Sequence, residues 1–220
     1  MRFLCFHGRG GNATVLKNQL ERISQLLGTD HEFVFVNGSV PTAPMPGIST
    51  IGRHEEDFFG FLPNDAVLIL QFFDDLSDFV ASEGPFEGLI GFSEGGCVAA
   101  TMMMEDAHRP SSTLGFKCGI FFCGLTPIRL DALRETDGKL QYLDPSVDGV
   151  LLHIPTAHIW SPDGNIDPGM GRTLVHLSEK GLREELVHHL GHCIPGQLSD
   201  EGLVETVRII NRTIEKARLV

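Results

Sequence analysis

The sequence predicts an α/β protein with a mostly parallel central sheet and helices on both of its faces. Along the 220 residues, short apolar runs alternate with stretches of helical periodicity, which is typical of repeated strand and helix units. The composition, 42% hydrophobic and 21% charged, is that of an ordinary globular protein. No internal repeat interrupts the pattern, and the length suits one domain over residues 1–220.

The first third of the chain predicts two strands, one helix and a long loop. The runs "RFLCF" (2–6) and "EFVFV" (32–36) have the length and residue types of buried strands. Between them, residues 15–27 predict a helix. Its apolar face carries Val15, Leu16, Leu20, Ile23 and Leu27. Segment 38–64 is rich in proline and glycine, so we expect a loop that borders a functional site as a candidate lid.

The remaining elements continue the alternation to the end of the chain. Helices are predicted over residues 66–82 and 94–106, and strands over residues 86–92, 116–123, 154–160 and 183–190. Residues 126–149 are mixed in character and form a second candidate lid. A last helix is predicted to open at Ser199. Its inward face is expected to carry Leu203, Val204, Val207, Ile210 and Ile214.

The net charge and the cysteines exclude several classes of protein. A formal net charge of -12 leaves no excess of Lys and Arg to neutralise phosphates, so we expect neither nucleic acid nor an anionic membrane as a partner. No apolar run approaches the roughly 20 residues that span a bilayer. The five cysteines form no C-x-x-C pair, and the first residues do not form a signal-peptide apolar region. We therefore expect a reducing, cytoplasmic location.

The loop "FHGRGGNA" after the first predicted strand has two interpretations. Gly8, Gly10 and Ala13 match the G-x-G-x-x-A pattern of a dinucleotide-binding turn. That interpretation requires an acid at the end of the second strand, where residues 36–38 read Val-Asn-Gly, and it leaves His7 unexplained. In the other interpretation, the loop offers backbone N–H groups to an oxyanion. The missing acid favours the oxyanion interpretation.

Residues 91–95 read G-x-S-x-G between a predicted strand and a predicted helix, which is the pattern of a nucleophile elbow. The glycines let Ser93 occupy a strained turn, because side chains two residues to either side would clash with the flanking strand and helix. The helix directs its positive end at this point, and the Glu94 N–H can donate to an oxyanion. The alternative is a plain turn with an N-capping serine. The context favours the elbow, and with it the α/β-hydrolase fold.

A serine nucleophile needs a base and an orienting acid, which follow it along the chain in α/β-hydrolases. His192, just after the last predicted strand, is the candidate base. Asp163, three residues past the predicted strand 154–160, is the candidate acid, with Asp167 as the alternative. The second oxyanion donor of this fold comes from the loop after an early strand. The Arg9 N–H is our first candidate for it, and the Gly10 N–H is the alternative.

The other histidines predict packing or surface roles. His188 and His189 fall within a predicted strand, and His158 is expected to be a hydrogen-bonded core residue. His188 and His192 have the i,i+4 spacing of a metal pair on a helix, but their segment is predicted as strand and loop and contains no H-E-x-x-H. We therefore expect no metal site, and Ser–His–Asp chemistry needs no cofactor.

Four stretches together resemble the FSH family of serine hydrolases, which includes fungal polyketide-pathway hydrolases related to the lovastatin thioesterase and the OVCA-type esterases. They are "RFLCFHGRGGNATVLKNQ" at the start, "GPFEGLIGFSEGG" at the elbow, "HIPTAHIW" before the acid loop and "GHCIPG" at the base. The resemblance runs nearly end to end. It implies a triad of Ser93, His192 and an Asp in the loop after Trp160, and hydrolysis of a polyketide thioester or a related acyl intermediate.

The chain departs from the pattern of that family at three positions. The family usually has Gln after the nucleophile, where this chain has Glu94. The glycine that follows the "HIW"-type strand in the family is replaced by Ser161. The acid of the family would fall on Gly164, which moves the candidate acid to Asp163 or Asp167.

These observations predict a serine esterase or thioesterase that cleaves a small-molecule ester or acyl-thioester through an acyl-enzyme. If the acyl group arrives on an acidic carrier domain of a polyketide synthase, local cations must receive it, and Arg9, Lys17 and Arg53 are the candidates. Two alternatives remain open. One is a general small-molecule carboxylesterase, and the other is a binding module that keeps the fold without turnover, which the displaced acid and Glu94 would permit.

Overall fold

The computed structural model describes residues 1–46, 57–108, 114–135, 139–163 and 168–219. The strands are β1 (Arg2–Phe6), β2 (Glu32–Val36), β3 (Val40–Pro41), β4 (Phe59–Gly60), β5 (Gly88–Phe92), β6 (Cys118–Phe122), β7 (Thr156–Trp160) and β8 (Arg183–Val187). The helices are α1 (Ala13–Leu27), α2 (Ala66–Glu83), α3 (Glu94–His108), α4 (Leu130–Glu135), α5 (Pro145–Asp148), α6 (Pro168–His176) and α7 (Leu203–Ala217). Within the described ranges, no helix combines the length and the apolar character needed to cross a membrane.

The central sheet is parallel throughout and has the strand order β2-β1-β5-β6-β7-β8. Strands β3 and β4 pair with each other in a separate antiparallel sheet. Because β1 and β5 are hydrogen-bonded neighbours, the loops that follow them leave the same edge of the sheet side by side. The sheet order therefore brings the loop after Phe6 next to the turn at Ser93.

Each face of the sheet carries its own apolar core, because successive residues of a strand point to opposite faces. Leu4 and Phe6 of β1 belong to the cluster formed with α2 and α3. Phe3 and Cys5 belong to the cluster formed with α1 and α7. The predicted α/β architecture, with helices on both faces of a parallel sheet, is confirmed.

The predicted strand 183–190 is too long, since β8 ends at Val187. The His188 N–H still donates to the Trp160 carbonyl at 3.0 Å, as a ladder bond would. The Leu190 N–H then donates to His188 Nδ1 at 3.3 Å, which turns the chain away from β7. His188 and His189 therefore lie in the loop after β8 rather than within a strand.

The last helix begins at Leu203 and not at Ser199 as predicted. The Ser199 hydroxyl accepts a hydrogen bond from the Glu201 N–H at 3.3 Å, which makes a local turn, and Gly202 adopts a left-handed conformation just before α7. Val204 was expected on the inward face, but 72% of it is exposed. A helix turns by about 100° per residue, so Val204 lies off the face that carries the buried Leu203.

Both candidate lid segments contain regular structure. The described part of segment 38–64 holds β3 and β4, and residues 47–56, with Arg53, lie outside the described residues. Segment 126–149 holds α4 and α5, and residues 136–138 lie outside the described residues. Leu130 and Leu133 of α4 are buried in the core formed with α2, so this segment packs onto the body of the domain.

His158 is buried at the centre of β7, as predicted. Its Nε2 lies 3.0 Å from the Thr156 hydroxyl oxygen, and its ring lies 5.3 Å from the ring of Phe121. Burial lowers the pKa of His158 to about 3, because the protein interior disfavours the charged imidazolium. The folded chain therefore holds this histidine neutral at a pH where the unfolded chain would protonate it.

We expect His158 to make folding sensitive to acid. Below about pH 6.5 the unfolded state binds a proton that the folded state does not, so the free energy of unfolding should fall by up to about 1.4 kcal/mol per pH unit from this group. Urea unfolding between pH 7 and about pH 4.5 measures the slope, and His158→Gln should reduce it by about one proton. His153→Gln, at a side chain that is 65% exposed, is the control. Equal slopes in wild type and His158→Gln would contradict the assignment.

Candidate active site

Ser93 lies in the turn between β5 and α3, at the carboxyl edge of the sheet. Its φ is 54°, in the left-handed region that residues with side chains rarely adopt. The Ser93 N–H donates to the Phe122 carbonyl at 2.9 Å, and the Ser93 carbonyl accepts from the Gly96 N–H at 2.9 Å and the Leu125 N–H at 3.2 Å. These bonds to the end of β6 and to the first turn of α3 hold the strained conformation in place.

The glycines around Ser93 are required by close backbone contacts. A Cβ on Gly91 would collide with the Gly95 carbonyl, and a Cβ on Gly95 would collide with the Phe6 carbonyl at the end of β1. A Cβ on Gly8 would lie 3.2 Å from Ser93 Cβ. The backbone thus has the tight strand-to-helix geometry that the G-x-S-x-G pattern predicts.

Replacing Gly95 by Ala is expected to lower the free energy of unfolding by about 1–3 kcal/mol or more, because backbone atoms of β1 cannot move aside as a flexible side chain would. Gly181→Ala is the matched control, since a Cβ there has no heavy atom within 4 Å, and its effect should stay within about 0.5 kcal/mol. Urea unfolding of the three proteins measures both changes. Equal stability of Gly95→Ala and wild type would show that the elbow is looser than its contacts indicate.

The loop after β1 lies directly against the Ser93 turn. The Gly10 N–H donates to the Phe59 carbonyl at 2.9 Å, and the Gly11 N–H donates to the Gly8 carbonyl at 3.0 Å. Within the described ranges, the Arg9 N–H and the Glu94 N–H have no acceptor. Of the three candidate oxyanion donors, the Gly10 N–H is therefore engaged by β4, whereas the other two are not engaged by any described residue.

His7 fastens this loop to the protein interior. It is buried, its Nε2 accepts from the Gly38 N–H at 3.0 Å, and its Nδ1 therefore carries the proton and donates to the Gly8 carbonyl at 2.8 Å. Burial lowers the pKa of His7, which favours this neutral form. The residue that the dinucleotide interpretation left unexplained thus has a structural place in the loop.

The first amides of α1 are occupied by side chains. The Ala13 N–H donates to Asn37 Oδ1 at 2.7 Å, and the Val15 N–H donates to Asn12 Oδ1 at 2.8 Å. A dinucleotide-binding turn would direct these amides at a pyrophosphate. Their engagement by two asparagines is a second observation against that interpretation.

The side chains of Arg9 and Glu94 form a contact that the sequence reasoning missed. The Glu94 carboxylate is buried, with 7% of the side chain exposed, and its Oε1 accepts from Arg9 Nη1 at 2.7 Å. Its Oε2 accepts from the Phe61 N–H at 2.8 Å. The available signal was Glu94 itself, an acid at a position where the resembled family usually has Gln.

His192 lies in the loop after β8 and packs against the Ser93 turn. Its ring lies 5.1 Å from the ring of Phe92, the residue before Ser93. Burial and, secondarily, the neighbouring His188 lower the pKa of His192 to about 4, so the imidazole is neutral near pH 7. Its Nε2 is buried and has no hydrogen-bond partner in the described part of the chain, Ser93 included.

Asp163 lies in the loop after β7, but it contacts a different histidine. Its Oδ2 accepts from His189 Nδ1 at 2.7 Å, and both side chains are largely exposed. The structure therefore brings Asp163 to His189 and not to His192. The alternative acid, Asp167, lies outside the described residues. Across the described ranges, no three His, Cys, Asp or Glu side chains converge as a metal site would.

A cavity of about 170 Å³ opens beside the Ser93 turn. One wall carries Arg9 and Glu94, and most of the remaining lining is apolar. The apolar residues are Leu62, Pro63, Ile69, Cys97, Leu125, Ile128, Leu140 and Met170. Leu62 and Pro63 belong to the first candidate lid, and Ile128 and Leu140 to the second, so both segments contribute walls to the same cavity.

The comparison with protein families decides the class. A family model described as serine hydrolase (FSH1) matches residues 1–202. The chain belongs to this serine hydrolase family. The resemblance found in the sequence is thereby confirmed, and the protein is a hydrolase enzyme.

Fungal relatives and solved structures agree with this membership. The serine hydrolase is 35% identical over 221 residues to esterase FPY3 of Fusarium mangiferae, which covers 98% of this chain and 96% of the relative. It is 32% identical to hydrolase phiM of a fungal species, over 72% of this chain and 70% of the relative.

Among solved structures, Arabidopsis thaliana SOBER1 matches with a TM-score of 0.56 and 17% identity, covering 97% of this chain and 99% of that one. A Bacillus cereus carboxylesterase matches with a TM-score of 0.55 and 16% identity, covering 97% of this chain and 87% of that one. These likenesses show the α/β-hydrolase fold that the elbow predicted.

Proposed function

We propose that this serine hydrolase cleaves an ester or thioester through an acyl-enzyme on Ser93, and that its natural substrate is a polyketide-type acyl intermediate of fungal secondary metabolism. The observation that carries the chemistry is the left-handed Ser93 at the start of α3, with His192 packed against the preceding Phe92. The substrate class rests on the resemblance to fungal polyketide-pathway hydrolases and on the fungal relatives described as esterase and hydrolase.

In the first half of the proposed reaction, Ser93 Oγ attacks the carbonyl carbon while His192 Nε2 takes the hydroxyl proton. The unpartnered Nε2 supports this role, because its lone pair is not used by another described group. The lowered pKa of His192 also supports it, because only the neutral imidazole accepts a proton. The hydrogen bond between serine and histidine in such sites often tightens only when substrate binds.

The negative charge on the tetrahedral intermediate would be held by the Arg9 and Glu94 N–H groups. Both amides lack an acceptor within the described residues, and they come from the two loops that meet at Ser93. The Gly10 alternative would require breaking its 2.9 Å bond to the Phe59 carbonyl. Fixed backbone donors of this kind stabilise the oxyanion without reorganising during the reaction.

The second half of the reaction releases the acyl group. The intermediate collapses to a Ser93 ester, and the leaving alcohol or thiol takes the proton from His192. A water molecule then attacks the ester carbonyl while His192 accepts its proton. The second tetrahedral intermediate then collapses, His192 gives its proton to the leaving Ser93 Oγ, and the carboxylic acid is released.

Asp163 is proposed as the acid that fixes the tautomer of His192, with Asp167 as the alternative. Asp163 would have to exchange its present bond to His189 for one to His192 Nδ1. That exchange costs little, because ion pairs or charged hydrogen bonds at such exposed sites contribute only about 0–1 kcal/mol. His189 and His192 are three positions apart in the loop after β8, so the two possible partners of Asp163 belong to the same segment.

The cavity beside Ser93 supports an apolar acyl group. Its volume of about 170 Å³ is similar to that of an engineered protein cavity, roughly 150 Å³, that binds benzene. A ring or a short alkyl chain would therefore fit against Ile69, Leu125 and Met170. We expect acyl groups of that size to react faster than acetyl groups.

The more specific part of the proposal is that an acyl carrier domain delivers the acyl group. Of the three candidate cations, Arg9 is already paired with Glu94, Lys17 is exposed on α1, and Arg53 lies outside the described residues. Hydrolysis rates distinguish a carrier-dependent thioesterase from a general carboxylesterase. They are measured on a carrier-bound thioester, on its free N-acetylcysteamine thioester and on the matching p-nitrophenyl ester. Preference for the carrier-bound form supports the proposal, whereas equal or faster turnover of free oxygen esters favours a general carboxylesterase.

The proposed chemistry is tested by labelling with a fluorophosphonate probe, which phosphonylates an activated serine. Mass spectrometry should find the adduct on Ser93 in the wild type and no adduct in Ser93→Ala, with p-nitrophenyl ester turnover lost in parallel. Ser178→Ala is the matched control, because Ser178 is a buried serine outside the G-x-S-x-G turn, and its hydroxyl donates to the Leu174 carbonyl. A folded wild type that stays unlabelled would overturn the proposal and favour a binding module.

A further inference from the structure

The Arg9–Glu94 ion pair joins three segments around the Ser93 turn. Arg9 Nη1 donates to Glu94 Oε1 at 2.7 Å and to the Leu62 carbonyl at 3.0 Å. Glu94 Oε2 accepts from the Phe61 N–H at 2.8 Å. The loop after β1, the start of α3 and the residues after β4 are therefore tied together through one carboxylate and one guanidinium nitrogen.

The two paired residues are the same two whose backbone N–H groups are the proposed oxyanion donors. One amide lies in the loop after β1 and the other in the first turn of α3, and the separation of these loops sets the distance between the two donors. The Glu94 carboxylate is 7% exposed, so its acceptor oxygens are shielded from water, while 43% of the Arg9 side chain is exposed. The ion pair thus joins the two segments that carry the proposed donors, and a small displacement of either segment would change how the oxyanion is bound.

We propose that the side chains of Arg9 and Glu94 are positioning residues that fix the spacing of the oxyanion donors. This inference rests on the proposed function, and it assigns to the side chains a task separate from that of the amides. Any substitution at these positions other than proline keeps the backbone N–H groups, so it alters their placement without removing a donor. The effect should therefore be on the transition state, where the oxyanion exists, and not on ground-state binding.

The experiment is a double-mutant cycle with Arg9→Met, Glu94→Gln and both together. Arg9→Met keeps the length of the stem and removes the charged donor. Glu94→Gln leaves one acceptor oxygen where the carboxylate uses two, for Arg9 and for Phe61. We expect each single variant to lower kcat for a p-nitrophenyl ester about 10- to 100-fold with KM within about threefold. The double variant should be no slower than the slower single variant, because both remove one interaction.

Two further measurements separate positioning from a general structural role. A trifluoromethyl ketone forms an oxyanion adduct with an active serine, so its affinity should fall by the same factor as kcat. Arg9→Lys, which restores a cation beside Glu94, should recover part of the loss. Arg134→Met is the matched control, since Arg134 pairs with Glu105 at the same 2.7 Å and both arginine side chains are 43% exposed. It should leave kcat unchanged.

The outcomes distinguish this inference from the proposed function. If wild-type Ser93 is labelled by fluorophosphonate but Arg9→Met keeps full kcat, the inference is wrong and the proposed function stands. A change in KM alone would also overturn it, because the pair would then act only as a wall of the cavity. If wild-type Ser93 is not labelled, the proposed function fails first, and the inference fails with it.

Discussion

Replacing His192 by Gln is expected to lower kcat for a p-nitrophenyl ester by about 10⁴- to 10⁶-fold, the range found when the base of a catalytic triad is removed. Gln fills most of the volume of the ring but cannot accept and return the serine proton. The neutral imidazole beside Phe92, whose Nε2 is buried and unpartnered within the described residues, is the group on which this expectation rests. The thermal midpoint of the variant should be measured alongside, so that a folding defect is not read as a catalytic one.

The pH profile checks the same assignment without a mutation. His192 has a pKa of about 4, lowered by burial, so its proton-accepting form persists well below neutrality. We expect kcat/KM to stay flat from about pH 8 to about pH 5 and to fall only below that. His153→Gln, at an exposed histidine paired with Glu179, should change neither the rate nor the profile. An acid limb near pH 6.5 would contradict the assignment of His192 as the base.

Replacing Asp163 by Asn is expected to lower kcat by about 10³- to 10⁴-fold, because the amide can stabilise the wrong tautomer of the base and cannot stabilise its charged form. KM should change little, since Asp163 does not line the cavity beside Ser93. Steady-state kinetics on one ester measure both constants. The effect should be smaller than that of His192→Gln, because an orienting acid contributes less than the base itself.

Asp167→Asn provides the decisive comparison for the acid. The two aspartates lie four positions apart in the sequence, so the two variants make the same chemical change at neighbouring positions. If Asp163 is the acid, Asp167→Asn should keep kcat within about threefold of wild type. A large loss of kcat in Asp167→Asn with little loss in Asp163→Asn would show that Asp167 is the acid that orients His192. Asp163 would then act only as the hydrogen-bond partner of His189.

Much of the site could be predicted from local patterns. Ser93 follows an apolar strand and precedes a helix of small residues, and its flanking glycines are those that the backbone contacts require. The contact of Gly95 with the Phe6 carbonyl depends on the neighbouring strand, whereas the contact between Gly91 and Gly95 joins residues close in sequence, so it leaves a readable local pattern. The same holds for the strands of the parallel sheet, whose continuous apolar runs mark them as buried on both faces.

Element ends were predicted less well than element types. The strand after residue 183 was expected to reach 190, but the turn made by the Leu190 N–H and His188 ends it at Val187. The last helix was predicted to begin at Ser199 but begins at Leu203, and Val204, about 100° around the helix from Leu203, is exposed. Side-chain hydrogen bonds and local turns compete with regular structure at such ends, and periodicity does not reveal which prevails.

By itself, the sequence determined the α/β class, the serine hydrolase resemblance and the positions of the elbow and of the candidate base. Only the tertiary structure decided which side chains meet there. Arg9 and Glu94 are 85 residues apart and pair because β1 and β5 are neighbours in the sheet. Asp163 accepts a hydrogen bond from His189 because the loops after β7 and β8 leave the same edge of the sheet. Such contacts depend on strand order and side-chain rotamers, and neither leaves a periodic signal in one sequence.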